Sequence, residues 1–270
     1  MQKQNGNYAN STTVLFNHAF LVMFVVFTAA CSQSGQLDAA SSNKAQLRAI
    51  NIVALGDSTT DAEWEGNVPN VYADRLVGEL QARGVESSVI NAGIRNTTSK
   101  QALARLDKDV RRHNPDFVIV QFGINDSWID AYQGRTNPRL SLDEYTYYLT
   151  TIIDILRGEG VQVILMTPNP MRWSEMYGDE MRDPALGFDF DDPRGFNRLL
   201  DIYAEQVRYL ALKKDVPLID VSANFEAYDQ VDGQSIHELL IPGDEIHPSE
   251  AGHALIARWL AEELLALLEE

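Results

Sequence analysis

The chain has 270 residues, of which 45% are hydrophobic and 23% are charged, and its formal net charge is −17 at pH 7. This strongly acidic charge argues against nucleic acid and anionic membrane as direct partners. The length suits one α/β domain with a buried core. The single cysteine excludes an intramolecular disulfide.

The amino-terminal segment predicts export. Residues 19–30 form an apolar run that is too short to span a membrane but has the length of a signal-peptide core. The lone Cys31 follows at once, and residues 28–31 resemble a bacterial lipobox. We therefore predict a lipoprotein-type signal peptide over residues 1–30, lipidation of Cys31, a flexible tether over 31–46 and a membrane-anchored protein facing the periplasm or cell exterior. An ordinary cleaved signal is the alternative.

Downstream, helical and strand patterns alternate. Residues 50–55 and 117–122 are short, apolar and rich in β-branched side chains, which is typical of buried parallel strands. The other predicted elements are helices at 71–83, 99–112, 142–157, 195–213 and 249–268 and strands at 88–92, 161–166 and 217–221. This alternation predicts one domain over 47–270, a three-layer α/β/α sandwich around a five-stranded parallel sheet.

Two polar residues follow the clearest strands. Ser58 comes just after the first strand and Asn125 just after the third. Because ligands bind at the carboxyl edge of the strands in open α/β sheets, we expect both side chains to reach one substrate.

Two segments are predicted to wall this edge. Residues 167–194 are too long for an ordinary connection and contain Arg172 and Trp173. The second wall runs from Trp128 to Asn137. We predict that the two tryptophans stack on a sugar or aromatic ring and that Arg172 and Arg95 meet an anionic group; alternatively, the tryptophans only pin their loops. The acidic run at 189–192 is interpreted as a solvated loop, not as a metal site.

Four ordered segments resemble the SGNH hydrolases, or GDSL esterases and lipases: Gly56-Asp57-Ser58, Asn91-Ala92-Gly93, Gly123-Ile124-Asn125-Asp126 and Asp244-Glu245-Ile246-His247. The resemblance implies that Ser58 is the nucleophile, His247 the base and Asp244 its orienting carboxylate. It implies an oxyanion hole made of the Ser58 and Gly93 N–H groups and the Asn125 amide. A flavodoxin-like sheet with strand order 2-1-3-4-5, and no metal or cofactor, is also implied.

One residue departs from the family pattern. Asn96 stands where the family usually has a glycine, three residues after Gly93, and Asn tolerates a left-handed backbone better than most residues. His237 is the only rival to His247 as base, but it has no carboxylate at the matching spacing, so we interpret it as a surface histidine. Asp57 and Asp126 are expected to tie down their own loops.

Export and family together predict a serine esterase that removes O-acetyl groups from a carbohydrate, with a small-molecule or polysaccharide ester as substrate. A lipid-active esterase, lysophospholipase or thioesterase is the alternative enzyme. A catalytically inactive binding protein is the alternative of another class. The sequence leaves the ester, the acyl length and the oligomeric state open.

Overall fold

The apolar segments form a five-stranded parallel sheet with the order β2-β1-β3-β4-β5. A computed structural model describes residues 49–63, 66, 68–174, 186 and 197–269. The strands are β1 (Ile50–Gly56), β2 (Ser87–Gly93), β3 (Phe117–Gln121), β4 (Gln162–Met166) and β5 (Leu218–Ile219). The predicted fold class and strand order are confirmed.

Helices connect these strands. Within the described residues they are α1 (Tyr72–Ala82), α2 (Ser99–Ala104), α3 (Leu106–Asp109), α4 (Ile124–Ser127), α5 (Leu142–Gly158), α6 (Asn197–Lys214), α7 (Val221–Tyr228) and α8 (Glu250–Glu269). The start of α5 shows how the local sequence sets a helix boundary. The Ser141 hydroxyl accepts from the Glu144 N–H, and the Glu144 carboxylate accepts from the Ser141 N–H. This reciprocal capping fixes the first turn of the helix.

The core has two halves because successive strand residues point to opposite faces of the sheet. Ile52 and Ala54 pack with side chains of α1 and α8 on one face. Val53 and Leu55 pack with α5 and α6 on the other. The sheet is thus covered on both faces, which explains why the central strands β1, β3 and β4 are apolar at nearly every position.

The register aligns the carboxyl ends of the central strands. Gly56 of β1 pairs with Gly93 of β2 on one side and with Gln121 of β3 on the other. The segments after these residues therefore leave the sheet at one edge, where Ser58 and Asn125 lie.

The helix predicted over 99–112 is interrupted. Its backbone breaks at Arg105, between α2 and α3, and a 3₁₀ turn at Arg111–His113 follows. The Arg105 guanidinium donates to the carbonyl oxygens of Ala92 (2.7 Å) and Gly56 (2.9 Å). These bonds hold the break against the ends of β1 and β2, a tertiary contact that helical periodicity does not reveal.

The strand predicted over 217–221 is shorter, and the next helix was missed. The strand has only two residues, Leu218 and Ile219. Asp220 then caps α7, its side chain accepting from the Ala223 N–H at 3.1 Å. An Asp before Val221 and Phe225, which are four residues apart, is a helix-start pattern that could have been recognised.

Several predictions fall outside the described residues. They are the signal peptide over 1–30, Cys31, the tether over 31–46, the acidic run at 189–192 and most of the segment 167–194. Within the part of the chain that the structure describes, no helix combines the length and apolarity needed to cross a membrane.

His253, in α8, makes stability depend on pH. It is fully buried, its Nδ1 accepts from the Tyr72 N–H at 3.2 Å, and burial, with the nearby Arg75 charge, lowers its pKa to about 3. Between about pH 6.5, the ordinary pKa of histidine, and pH 3, His253 is protonated in the unfolded chain but neutral in the folded chain. Proton binding therefore favours the unfolded chain, and the protein loses stability as the pH falls from about 6.5 towards 3.

We expect the unfolding free energy to fall, between pH 7 and pH 5, by about 2 kcal/mol more in the wild type than in His253→Asn. Asn keeps a hydrogen-bond acceptor but does not titrate. The contributions of the other titrating groups to the unfolding free energy are the same in both proteins, so they cancel in the comparison. Urea denaturation at both pH values measures the difference. Equal losses in the two proteins would contradict this assignment.

Candidate active site

The turn after β1 presents Ser58. The Asp57 carboxylate accepts from the Thr59 N–H at 3.0 Å, and the Asp57 carbonyl accepts from the Thr60 N–H at 3.1 Å. The turn brings Thr60 back over Gly56, where an added Cβ would lie 2.0 Å from the Thr60 Oγ1. Glycine is thus required before the turn that exposes the Ser58 hydroxyl.

Ser58, His247 and Asp244 form a hydrogen-bonded chain. Ser58 Oγ lies 2.9 Å from His247 Nε2, and His247 Nδ1 lies 2.7 Å from Asp244 Oδ2. All three residues are buried. With Nδ1–H donating to the carboxylate, Nε2 is left to accept a proton from the serine hydroxyl, so the chain can activate Ser58 as a nucleophile.

The loop holding Asp244 and His247 is fixed by its own backbone. Asp244 Oδ2 also accepts from the His247 N–H at 2.9 Å, and the Ile241 N–H donates to the His247 carbonyl at 2.9 Å. Asn169, after β4, donates to the Ile246 carbonyl at 2.7 Å. The three-residue spacing therefore sets the acid–histidine geometry before the rest of the fold contributes.

Asn125 borders the same site on α4. Its Nδ2 lies 3.2 Å from Asp57 Oδ2, and its Oδ1 accepts from Arg139 Nη1 at 2.9 Å. The amide is therefore held at both ends, next to the Ser58 turn. An amide N–H pointing into the site can stabilise negative charge on a substrate oxygen.

The buried carboxylates beside Ser58 anchor loops. Burial raises the pKa of Asp57, an effect opposed by its bond from the Thr59 N–H. Burial raises the pKa of Asp126 to about 6, although the Ser99 N–H (2.9 Å) and hydroxyl (2.6 Å) both donate to it. Asp57 thus ties down its own turn, as expected, whereas Asp126 holds α4 against the first residue of α2.

Gly93 requires a correction. Its N–H donates to the Asn91 side-chain oxygen at 2.9 Å, so the donor predicted for the oxyanion hole is already engaged. A Cβ at this position would lie 2.3 Å from the Asp61 N atom. Glycine is needed here because the turn after Ser58 packs directly on it, not because its N–H faces a substrate.

A cavity of about 380 Å³ opens at Ser58, Asn125 and His247. Its other lining residues are Arg95, Asn96, Ile124, Trp128, Tyr132, Arg139 and Ile246. Asn96 has a positive φ of 58°, the left-handed conformation expected for it. The predicted contacts Arg95 and Trp128 thus lie at the cavity, as does Tyr132 of the predicted second wall, while Asn96 and Arg139 were not predicted as lining residues.

Arg172 and Trp173 do not take their predicted places. Arg172 is buried, and its guanidinium binds both carboxylate oxygens of Glu226 at 3.1 and 2.9 Å. The backbone N–H of Arg172 also donates to the Glu245 carbonyl, which fixes the loop that carries His247. The Arg172 guanidinium is bound to Glu226 and is not available to a substrate anion. Trp173 packs on a small apolar cluster that includes Met171, in agreement with the loop-pinning alternative.

The remaining histidines lie away from the cavity. His237 is exposed and its Nδ1 is 2.7 Å from Glu245 Oε2, a surface pair on the same loop as His247. His113 lies before β3, at the opposite edge of the sheet, and His253 is buried in α8. His18 falls outside the described residues.

The family model for the GDSL-like Lipase/Acylhydrolase family matches residues 54–255. An acetylxylan esterase of Geobacillus stearothermophilus is 29% identical over 224 residues, 79% of this chain and 93% of that protein. An uncharacterized lipoprotein, YqeF, of Bacillus subtilis (strain 168) is 28% identical over 85% of this chain and 87% of its own length. The crystal structure of a lipase/acylhydrolase from Enterococcus faecalis superposes with a TM-score of 0.63 at 25% identity, covering 80% of this chain and 95% of that one.

Proposed function

We propose a carbohydrate acetylesterase function for this chain, which belongs to the GDSL-like lipase/acylhydrolase family. As a member it is an esterase of the serine-hydrolase type. The observation that carries the proposal is the Ser58–His247–Asp244 chain, with contacts of 2.9 and 2.7 Å, whose Ser58 and His247 line a small cavity. Similarity to an acetylxylan esterase over 79% of the chain supports an acetylated sugar as substrate.

In the proposed mechanism, Ser58 Oγ attacks the acetyl carbonyl carbon while its proton passes to His247 Nε2. The carbonyl π electrons move to the oxygen, giving a tetrahedral oxyanion. When this collapses, the bond to the sugar oxygen breaks and that oxygen takes the proton from Nε2, leaving an acetyl-enzyme. Water, deprotonated by His247, then attacks the acetyl carbonyl carbon. The second tetrahedral intermediate collapses by breaking the bond to Ser58 Oγ, which takes the proton back from Nε2, and acetate leaves. Asp244 stabilises the imidazolium in both halves.

The oxyanion is proposed to be stabilised by the Asn125 amide and the Ser58 N–H. Asn96 borders the cavity where Gly93 does not, so its backbone N–H replaces that of Gly93 as the proposed third donor. Loss of one such donor typically lowers kcat by about 100- to 1,000-fold. The mechanism uses no metal or cofactor.

The cavity wall offers a sugar both polar and aromatic contacts. Two arginines and two asparagines line it beside Trp128 and Tyr132, together with the apolar Ile124 and Ile246. A lipid-active esterase, lysophospholipase or thioesterase would need a wider apolar groove for its acyl chain. Arg95, exposed at the rim, is proposed to meet an anionic substituent of the sugar.

The function is tested by acetate release from acetylated polysaccharides, with p-nitrophenyl acetate and octanoate as small-molecule comparisons. We expect acetate to be released from acetylated xylan and the acetate ester to be preferred to the octanoate. A preference for octanoate would favour the lipid-active alternative. An absence of turnover on every ester would favour an inactive binding protein.

Trp128 is proposed to stack on the sugar ring. Trp128→Ala is expected to raise KM for acetylated xylo-oligosaccharides by about 5- to 10-fold, the equivalent of about 1 kcal/mol of lost aromatic contact, with a smaller change for p-nitrophenyl acetate. Steady-state kinetics on both substrates measure the split. Trp173→Ala is the matched control, since both tryptophans pack on the same apolar cluster but only Trp128 lines the cavity. Equal KM effects from both variants would contradict the role of Trp128.

Export and anchoring through Cys31 are also proposed. A relative named as a lipoprotein covers 85% of this chain, which supports the predicted lipidation. The bacterial membrane, reached through the lipid, would then be the only membrane contact. Detergent-phase partitioning of the exported protein tests this, and equal partitioning of the wild type and Cys31→Ser would refute it.

A further inference from the structure

We propose that Arg139 is a positioning residue that locks the Asn125 amide in its donating orientation and couples it to the loop of Asn96. This inference rests on the esterase function proposed above. It assigns a role to a residue outside the four family-like segments, 14 positions after Asn125 in the sequence.

Arg139 joins three segments at the cavity. Its Nη1 donates to Asn125 Oδ1 at 2.9 Å and to Asn96 Oδ1 at 2.7 Å. Its Nε and Nη2 bind the Asp130 carboxylate at distances of 2.7 to 3.2 Å. The guanidinium is therefore held by an anion on one side and presents its remaining donors to two asparagine side chains.

These contacts determine which end of the Asn125 amide faces the substrate. An amide can rotate to exchange its oxygen and nitrogen ends, but a guanidinium only donates hydrogen bonds. The end facing Arg139 must therefore be the oxygen, which leaves the NH₂ group beside Asp57 and the cavity. Without Arg139, only the contact with Asp57 Oδ2 at 3.2 Å would oppose an amide flip that turns the Asn125 oxygen towards the developing oxyanion, which would repel it.

The contact with Asn96 gives a reason for the departure from the family pattern. A glycine would adopt the left-handed backbone more easily, but it has no side chain for Arg139 to bind. Asn tolerates φ 58° and adds the acceptor at 2.7 Å. The Asn96 and Arg139 side chains thus hold the loop of the proposed third oxyanion donor against the segment carrying Asn125.

The test compares the full chain with Arg139→Ala, Arg139→Lys and Arg139→Met, using p-nitrophenyl acetate. We expect Arg139→Ala to lower kcat by about 10- to 100-fold, part of the loss for a missing oxyanion donor, with KM changed by less than about twofold. Lysine restores one cationic donor and should recover part of the loss. Arg135→Ala is the matched control: Arg135 lies exposed in the same segment, and this variant should keep wild-type kinetics.

A double-mutant cycle separates positioning from general structural support. In an Asn125→Ala background the amide to be oriented is gone, so Arg139→Ala should lower kcat by no more than about twofold further. Thermal unfolding of each variant shows whether it is folded; if Arg139→Ala unfolds, Arg139→Met, which keeps the apolar stem without donors, takes its place in the cycle.

Three results would overturn the inference: unchanged kcat in the Arg139→Ala and Arg139→Met variants, a rise in KM alone, or full additivity with Asn125→Ala. Failure of the proposed function looks different. In that case the wild type itself would hydrolyse no ester, and the role of Arg139 would fall with it.

Discussion

Ser58→Ala is expected to lower kcat/KM for p-nitrophenyl acetate by about 10⁴-fold or more, because no acyl-enzyme can form without the hydroxyl. The residual rate would come from the oxyanion donors and substrate binding. Initial rates at substrate concentrations below KM measure the effect, with the variant purified apart from any wild-type material.

Ser88→Ala is the matched control for that variant. The Ser88 hydroxyl donates to the Asn51 side chain, and β2 places it at the amino-terminal edge of the sheet, away from the cavity. The control should keep wild-type kcat/KM. If Ser58→Ala lost less than about tenfold while folded, the nucleophile would have to be another residue.

Asp244→Asn is expected to lower kcat by about 10³- to 10⁴-fold. Asparagine carries no charge, so it no longer stabilises the imidazolium that forms when His247 accepts the Ser58 proton across the 2.9 Å contact. KM should change little because Asp244 lies behind the imidazole, on the side away from Ser58.

Glu245→Gln, another carboxylate-to-amide change in the loop that carries His247, is the matched control for Asp244→Asn. His237 and Glu245 form a second histidine–carboxylate contact, at 2.7 Å, with His237 exposed. Glu245→Gln should leave kcat within about twofold of wild type, since this pair does not contact Ser58. If both carboxylate-to-amide variants lost activity equally, the effect would belong to the loop as a whole and the assignment of Asp244 would be contradicted.

The sequence predicts the sheet well because its strands are buried on both faces. Val53 and Leu55 on one face of β1, with Ile52 and Ala54 on the other, form an unbroken apolar run, which indicates a central parallel strand. The break at Arg105 and the helix after Asp220 were not predicted. The first depends on carbonyls 13 and 49 residues away, and the second on a short capped segment beside a two-residue strand.

The site was predictable where its geometry is local. Asp244 and His247 are three residues apart, and their turn alone brings carboxylate and imidazole together. Gly93 was assigned wrongly because the Asn91 side chain that engages its N–H is held by the Thr60 carbonyl of the Ser58 turn, which packs on Gly93 from another part of the chain. Arg139 carries no recognisable sequence signal, since its importance arises from contacts with Asn96 and Asn125 that only the fold creates.

Arg172 was predicted to contact the substrate, and this prediction was wrong. An arginine in a long segment after β4 suggests a substrate contact, yet its partner Glu226 lies 54 residues further along the chain. Burial of the guanidinium beside this carboxylate could not be inferred from either segment alone. The residue supports the histidine loop through its backbone N–H instead.

Covalent trapping tests the central claim most directly. The wild type would be treated with a fluorophosphonate, and its adduct would be located by mass spectrometry of the proteolysed chain. The account predicts one adduct per chain, on Ser58, with labelling slowed strongly in Asp244→Asn and unaffected in Glu245→Gln. An adduct on a different residue, or no adduct on a protein that still hydrolyses acetate esters, would contradict it.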